Sequence, residues 1–141
     1  MIILDTNVVS EPTRVSPSPI VGRWFRRVSA SALHTTVITE AEILLGLELM
    51  PEGHRKTELE RATARMFERI LSGRVLAFDR AAAREFALVV AGREKIGQPV
   101  KAPDAQIAAI ARVHGAAVAT RNLSDFEHCG VRLIDPWTSK D

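Results

Sequence analysis

The sequence predicts a three-layer α/β/α sandwich on a mainly parallel sheet of about five strands. Two observations carry that prediction. Short apolar runs of strand length alternate with longer segments whose apolar residues recur at helical spacing. Glycine and proline punctuate the junctions, and no repeat, low-complexity tract or linker divides the 141 residues, so a single domain over 1–141 is expected.

Ile2-Ile3-Leu4 is a short apolar run of the kind that forms a buried strand. Pro17 and Pro19 mark the approach to a helix whose apolar residues are Ile20, Val21, Trp24, Phe25 and Val28. His34 to Ile38 is β-rich and reads as the second strand. Thr39 then starts a helix that runs to about Met50, stopped by Pro51 and Gly53. A longer helix follows, with Leu59, Met66, Phe67, Ile70 and Leu71 as its buried stripe and Gly73 as its end. Val75 to Phe78 is the third strand, and Asp79 caps a helix that Gly97 terminates. Pro103-Asp104 opens a helix to about His114, with Gly115 as its stop, and Ala116–Thr120 and Val131–Ile134 are the last strands.

Composition excludes several classes. Hydrophobic residues at 46% and charged residues at 26% suit an ordinary globular domain, and no apolar run approaches the ~20 residues of a membrane span. The opening MIILDTNVVSEP lacks a basic n-region and Asp5 breaks its apolar run, so it does not read as a secretory signal. Cys129 is the single cysteine, which rules out an intramolecular disulfide and speaks against a Cys-based zinc site. The four histidines show no metal-ligand spacing. A cytoplasmic location is expected. The net charge of +2 is too small to diagnose nucleic-acid binding; Lys occurs only at 56, 95, 101 and 140, so arginine dominates the cations.

The expected architecture has a chemical consequence. Helices that join parallel strands place their N-termini at the strands' carboxyl ends, the edge where open α/β sheets bind ligands. Asp5 follows the first strand, Asn122 and Asp125 follow the fourth, Glu42 lies in the first turn of one helix, and Asp104 opens another. Gathered carboxylates repel one another unless a cation balances them, and Mg²⁺ or Mn²⁺ is the hard ion such oxygens suit. An ion held there can activate water against a phosphodiester. Composition alone leaves this as one of several possibilities.

Four stretches narrow it: MIILDTNVVSEP, TEAEILLGLELM, APDAQIAAIARVHGAAVATRNLSDF and DPW. Together, and in this order, they resemble PIN-domain ribonucleases, specifically the VapC-like toxins of bacterial toxin–antitoxin pairs and the related FitB branch. The resemblance implies a metal-dependent endoribonuclease using Mg²⁺ or Mn²⁺, with Asp5, Glu42, Asp104 and Asp125 as the catalytic carboxylates and Asp5 and Asp104 as direct metal ligands. Thr6, Asn7, Thr120 and Asn122 would support them. Asn122 stands where some relatives carry an aspartate; an amide coordinates but brings no charge, which shifts load onto Asp125. The resemblance also implies an RNA substrate, a cognate VapB-like antitoxin, a homodimer, and DNA contact only through the antitoxin. Arg84 and Arg121 are the candidate phosphate contacts.

Each residue also has a plainer reading. Asp5 suits a turn after a strand. Thr39-Glu40-Ala41-Glu42 fits a capping box, and spacing does not choose between Glu40 and Glu42; the resemblance selects Glu42. Asp104 suits a helix N-terminus, but its neighbours Ile107, Ala108 and Ala111 place it on an apolar stripe, where a carboxylate needs a partner. Asp125 alone reads as a loop residue. Arg61, Arg65 and Arg69 read as a solvated helix face, Cys129 as a small apolar residue, and Trp24 and Trp137 as packing residues. Two rival functions remain: a FitB-like, non-catalytic partner in a DNA-binding regulatory complex, and a receiver-like phosphoacceptor, which the lack of paired acids after the first strand disfavours.

Overall fold

The computed structural model describes residues 1–139; Lys140 and Asp141, the last two of the expected domain, lie outside the described residues. In chain order the strands are β1 (Ile2–Leu4), β2 (Leu33–Thr36), β3 (Val75–Leu76), β4 (Ala117–Ala119) and β5 (Leu133–Ile134). The helices are α1 (Thr6–Ser10), α2 (Pro19–Arg27), α3 (Val37–Leu49), α4 (His54–Arg65), α5 (Arg80–Lys95), α6 (Ala102–His114) and α7 (Leu123–Phe126). The sheet order is β3-β2-β1-β4-β5 and every pairing is parallel. The expected α/β fold class and sheet are met.

Adjacent strand residues point to opposite faces, and the core divides accordingly. Ile3 and Val118 join a cluster with Val89, Ile107, Ile110 and Phe126, beneath α5 and α6. Leu4 and Ala119 join Val8, Val9, Trp24, Met66 and Leu71 on the other side, beneath α1, α2 and the end of α4. Two cores on two faces of one sheet make the three layers. The middle of helix α6 is interior, with Ile107, Ala108, Ala109, Ile110 and Ala111 fully buried. Gly115 closes it in the left-handed conformation at φ 62°, which glycine adopts without steric cost.

Several boundaries differ from the sequence expectation, for identifiable reasons. The second strand stops at Thr36, and the helix begins at Val37 rather than Thr39, because the Thr36 hydroxyl accepts the Thr39 N–H at 3.2 Å. Val37 and Ile38 have strand propensity, but the cap overrides it. Thr39 is therefore not an N-cap, and Glu42 lies in the second turn. The long helix turns into a π-helical segment at Met66–Ile70, which rotates Ile70 off the expected buried stripe to 46% exposure. Strands β3, β4 and β5 are each shorter than expected; Phe78, beyond the end of β3, instead packs edge-on against Phe86 of α5. Helices α1 and α7 appear where the sequence suggested only connections, and both bear on the site.

Candidate active site

The strand order reverses about β1, which lies between β2 and β4. Such a reversal opens a crevice at the strands' carboxyl ends. Asp5 is the first residue beyond β1. Its backbone N–H bonds the Ala119 carbonyl at 2.9 Å, continuing the ladder, while its side chain turns to cap α1. Oδ1 accepts the Thr6 N–H at 2.8 Å and Oδ2 accepts the Thr120 hydroxyl at 2.9 Å. Asp5 thus caps α1, as the plainer reading expected, and does so while only 6% exposed.

A cleft of about 240 Å³ opens beside it, lined by Asp5, Thr6, Asn7, Glu42, Lys101, Pro103, Asp104, Asn122 and Asp125. All four expected catalytic carboxylates line this one cleft, carried by the end of β1, by α3, α6 and α7. Thr6 Oγ1 donates to Glu42 Oε1 at 3.3 Å and lies 3.2 Å from Thr39 Oγ1. Glu42 is therefore tied to the cleft and not to a helix-capping amide. Thr120, fully buried, donates to Asp5 and accepts the Asn122 N–H at 3.0 Å. Of the expected supporting residues, Thr6, Asn7 and Asn122 line the cleft, and Thr120 bonds Asp5 from beneath it.

The electrostatics follow from this crowding. Burial pushes the Asp5 carboxyl up; the bonds from Thr6 and Thr120 pull it back, and the Asp125 charge adds a repulsion. Burial also raises Glu42, with Thr6 opposing and Asp5 repelling. Asp104 is pushed up to about 6, first by burial, then by repulsion from Asp5, Asp125 and Glu42, with Lys101 pulling the other way. A cluster that resists its own ionisation is one a cation would relieve.

Among the described residues no three His, Cys, Asp or Glu side chains close into a ready-made metal cage. The donors nevertheless fit a hard cation. They are carboxylate and amide oxygens, and Mg²⁺ keeps several waters and takes one or two carboxylates. Of the two candidate phosphate contacts, Arg121 borders an adjoining cleft, whereas Arg84 is exposed on α5 and is not among the residues lining either.

Residues 2–130 match the family described as PIN domain. The chain belongs to the PIN-domain family. The VapC ribonuclease Y4jK of Sinorhizobium fredii is 39% identical over 137 residues, which cover 97% of this chain and 98% of that protein. Toxin FitB of Neisseria gonorrhoeae is 34% identical over 137 residues, covering 97% of this chain and 99% of that one. The structure of FitAB bound to an IR36 DNA fragment aligns with a TM-score of 0.93 at 33% identity, over 100% of this chain and 99% of that one. The VapC-like and FitB-like resemblance of the sequence is met on both counts.

In this PIN domain the cleft and its surroundings also include residues that sequence reasoning missed. Lys101 precedes α6 and is the cation at the cleft. Thr39 carries a buried hydroxyl against Thr6. Arg93, 5% exposed on α5, donates to the carbonyls of Gln98 at 2.5 Å, Asp125 at 3.2 Å and Glu127 at 2.7 Å. It thereby fixes the segment that presents Asp125. An arginine near the end of an amphipathic helix reads as solvated; only the fold brings three carbonyls to it.

Proposed function

We propose that this PIN domain is a metal-dependent endoribonuclease toxin, hydrolysing RNA phosphodiester bonds and held in check by a cognate VapB-like antitoxin. The observation that carries the reading is the convergence of Asp5, Glu42, Asp104 and Asp125 on one cleft, with Asp104 pushed up to about 6 by burial and by its neighbours' charge. Asp5 and Asp104 would hold Mg²⁺ or Mn²⁺, which supplies a polarised water and offsets charge on the phosphoryl oxygens. Thr6 and Thr120 fix the Asp5 carboxylate, and Thr6 also fixes Glu42. Glu42, with a raised proton affinity at the cleft mouth, is suited to take the proton that the attacking water gives up as the P–O bond breaks. Asp125 completes the negative wall, and the Asn122 amide orients without adding charge.

Partners follow from the surface. Helix α3 leaves Leu44, Leu45 and Leu49 at 48%, 60% and 76% exposure, an apolar ridge suited to a protein partner. An antitoxin on such a surface would supply the DNA contact, and a homodimer is the expected assembly. No helix of the described residues is long and apolar enough to cross a membrane. Action on RNA places the protein, under this reading, in the cytoplasm.

The deciding experiment incubates antitoxin-free protein with varied single-stranded RNAs, with Mg²⁺, Mn²⁺ or a chelator. Cleavage that needs the ion and is lost in Asp5→Asn is the expected result. No cleavage of any RNA would favour the second reading, a non-catalytic partner in a DNA-binding complex, to which the likeness to the DNA-bound FitAB structure lends weight.

A further inference from the structure

The catalytic cleft poses an electrostatic problem for the substrate just assigned to it. Four carboxylates face the place where a polyanion must bind, and Lys101 is the one cation among the residues lining that cleft. A phosphate chain needs positive charge close by, in register with the cleft, to offset that repulsion.

An adjoining cleft of about 410 Å³ is lined by Asn7, Ser10, Glu11, Arg14, Arg121, Asn122 and Trp137. It shares Asn7 and Asn122 with the catalytic cleft, so the two are continuous across those amides. Both of its arginines are braced. The Arg121 guanidinium lies over the Trp137 ring, 5.0 Å from its centroid. The Trp137 ring packs against the core beneath α1 and α2, and the residue's backbone N–H donates to Asp135 Oδ1 at 2.9 Å, which fixes the chain that carries it. Arg121 directly follows Thr120, whose hydroxyl holds Asp5, so its backbone is set by the catalytic centre. Arg14 lies 3.4 Å from Glu11 Oε2, while Glu11, 3% exposed, accepts the Ser18 N–H at 2.9 Å through Oε1. The Arg14 side chain stays 59% exposed, leaving most of its five donors turned to solvent.

We infer that single-stranded RNA leaves the carboxylate cleft across Asn7 and Asn122 and enters this second cleft, where Arg14 and Arg121 grip its phosphates. Trp137 acts as a positioning residue that holds Arg121 in place. The inference rests on the ribonuclease reading. A braced arginine loses little side-chain freedom when it binds, and its planar fork suits a phosphate. A guanidinium seated over an aromatic ring can also offer its other side for an unpaired base to stack on, which favours a single strand over a duplex.

The test uses the full chain and a labelled single-stranded oligoribonucleotide. Binding is measured in an Asp5→Asn background across a salt series, and cleavage in the otherwise intact protein. Arg14→Gln and Arg121→Gln should each weaken binding about tenfold at low salt. Each should also reduce the salt slope by about 0.7. In cleavage, KM should rise more than kcat falls. Trp137→Leu should behave like Arg121→Gln, whereas Trp137→Phe, which keeps a ring, should restore most of the affinity. A wild-type protein that cleaves RNA while both arginine variants keep its KM and salt slope overturns the inference and leaves the ribonuclease reading standing. So does a loss of antitoxin binding in the arginine variants with RNA binding unchanged, which would make the cleft a docking place for an acidic protein segment. A wild-type protein that neither binds nor cleaves RNA overturns both.

Discussion

At the scale of single residues, the site is a contest between burial and charge. Asp5 resolves it with two hydrogen bonds and a place at the start of α1, so replacing it with asparagine keeps the shape and removes the charge. Asp5→Asn should abolish metal-dependent cleavage and growth inhibition while its thermal unfolding stays cooperative; equal activity in the variant and the wild type would refute the proposed mechanism. Glu42→Gln should be severe and Glu40→Gln mild, since Glu42 lines the cleft and bonds Thr6 while Glu40 borders a groove between α3 and α4. The reverse ranking in a cleavage assay would show the wrong carboxylate was chosen. Asp104 resolves the contest least well. Its folded value of about 6 lies above the ordinary 3.8, so between those limits the native state binds more protons than the unfolded chain. Stability therefore falls as pH rises through that window, and above about 6 the full penalty is present. Removing the charge with Asp104→Asn should stabilise the metal-free protein at pH 7.5 by on the order of 1 kcal/mol, after allowance for solvent screening of a half-buried group. At pH 4 the gain should vanish. Urea unfolding at the two pH values checks this, and an equal gain at both would exclude repulsion as its cause.

At the scale of elements, what positions the carboxylates is a set of local devices that differ in how visible they are in the sequence. Asp79 as a cap, Gly97 and Gly115 as stops, and Pro103 at the start of α6 were all legible, because each acts through its own residue type. The start of α3 was not. Two threonines three apart, Thr36 and Thr39, offer the same capping chemistry, and Thr36 is the cap because its extended backbone is held in the sheet opposite Leu76, a pairing that only the assembled fold supplies. That shift of two helical positions moved Glu42 from the first turn to the second and took it out of reach of a capping box. Helix α1 was hidden for a related reason, being a five-residue helix with little periodicity to read. Arg93 was hidden completely, since its three carbonyl partners come from a loop and from the segment around α7, up to 34 residues away in sequence. Replacing it with methionine would strand those carbonyls in the interior and release the turn that carries Asp125. Arg93→Met should cost about 2–4 kcal/mol of stability by urea unfolding. It should also lower kcat under conditions where the variant is still folded. Full activity in a folded Arg93→Met protein would show that Asp125 needs no such support.

At the scale of the whole molecule, the alternation of strand-length and helix-length segments was enough to fix the class of fold, and the parallel sheet in turn fixed which edge gathers the carboxylates. The particular order β3-β2-β1-β4-β5 was not legible, because strands of two to four residues hold no pairing information of their own. It is this order that sets β1 beside both β2 and β4 and so brings Asp5, Glu42, Asp104 and Asp125 to one cleft. The same convergence makes the cleft a weak point of the folded state, because folding forces together charges that the unfolded chain keeps apart. An ion that binds only the assembled cleft should offset that weakness by mass action. With Mg²⁺ or Mn²⁺ at about ten times its dissociation constant, the gain is roughly 1.4 kcal/mol. For a chain of this length that is a rise of about 3–5 °C in Tm. Protons compete for the same carboxylates, so the rise should be largest above the Asp104 value of about 6 and should shrink as pH falls through it. It should be lost in Asp5→Asn, whose fold is otherwise kept. Differential scanning calorimetry at pH 8 and pH 5, with and without the ion, reads all of this out independently of any RNA. A rise in Tm as large at pH 5 as at pH 8, or one that survives in Asp5→Asn, would mean that the ion binds elsewhere and that the four carboxylates do not form its site.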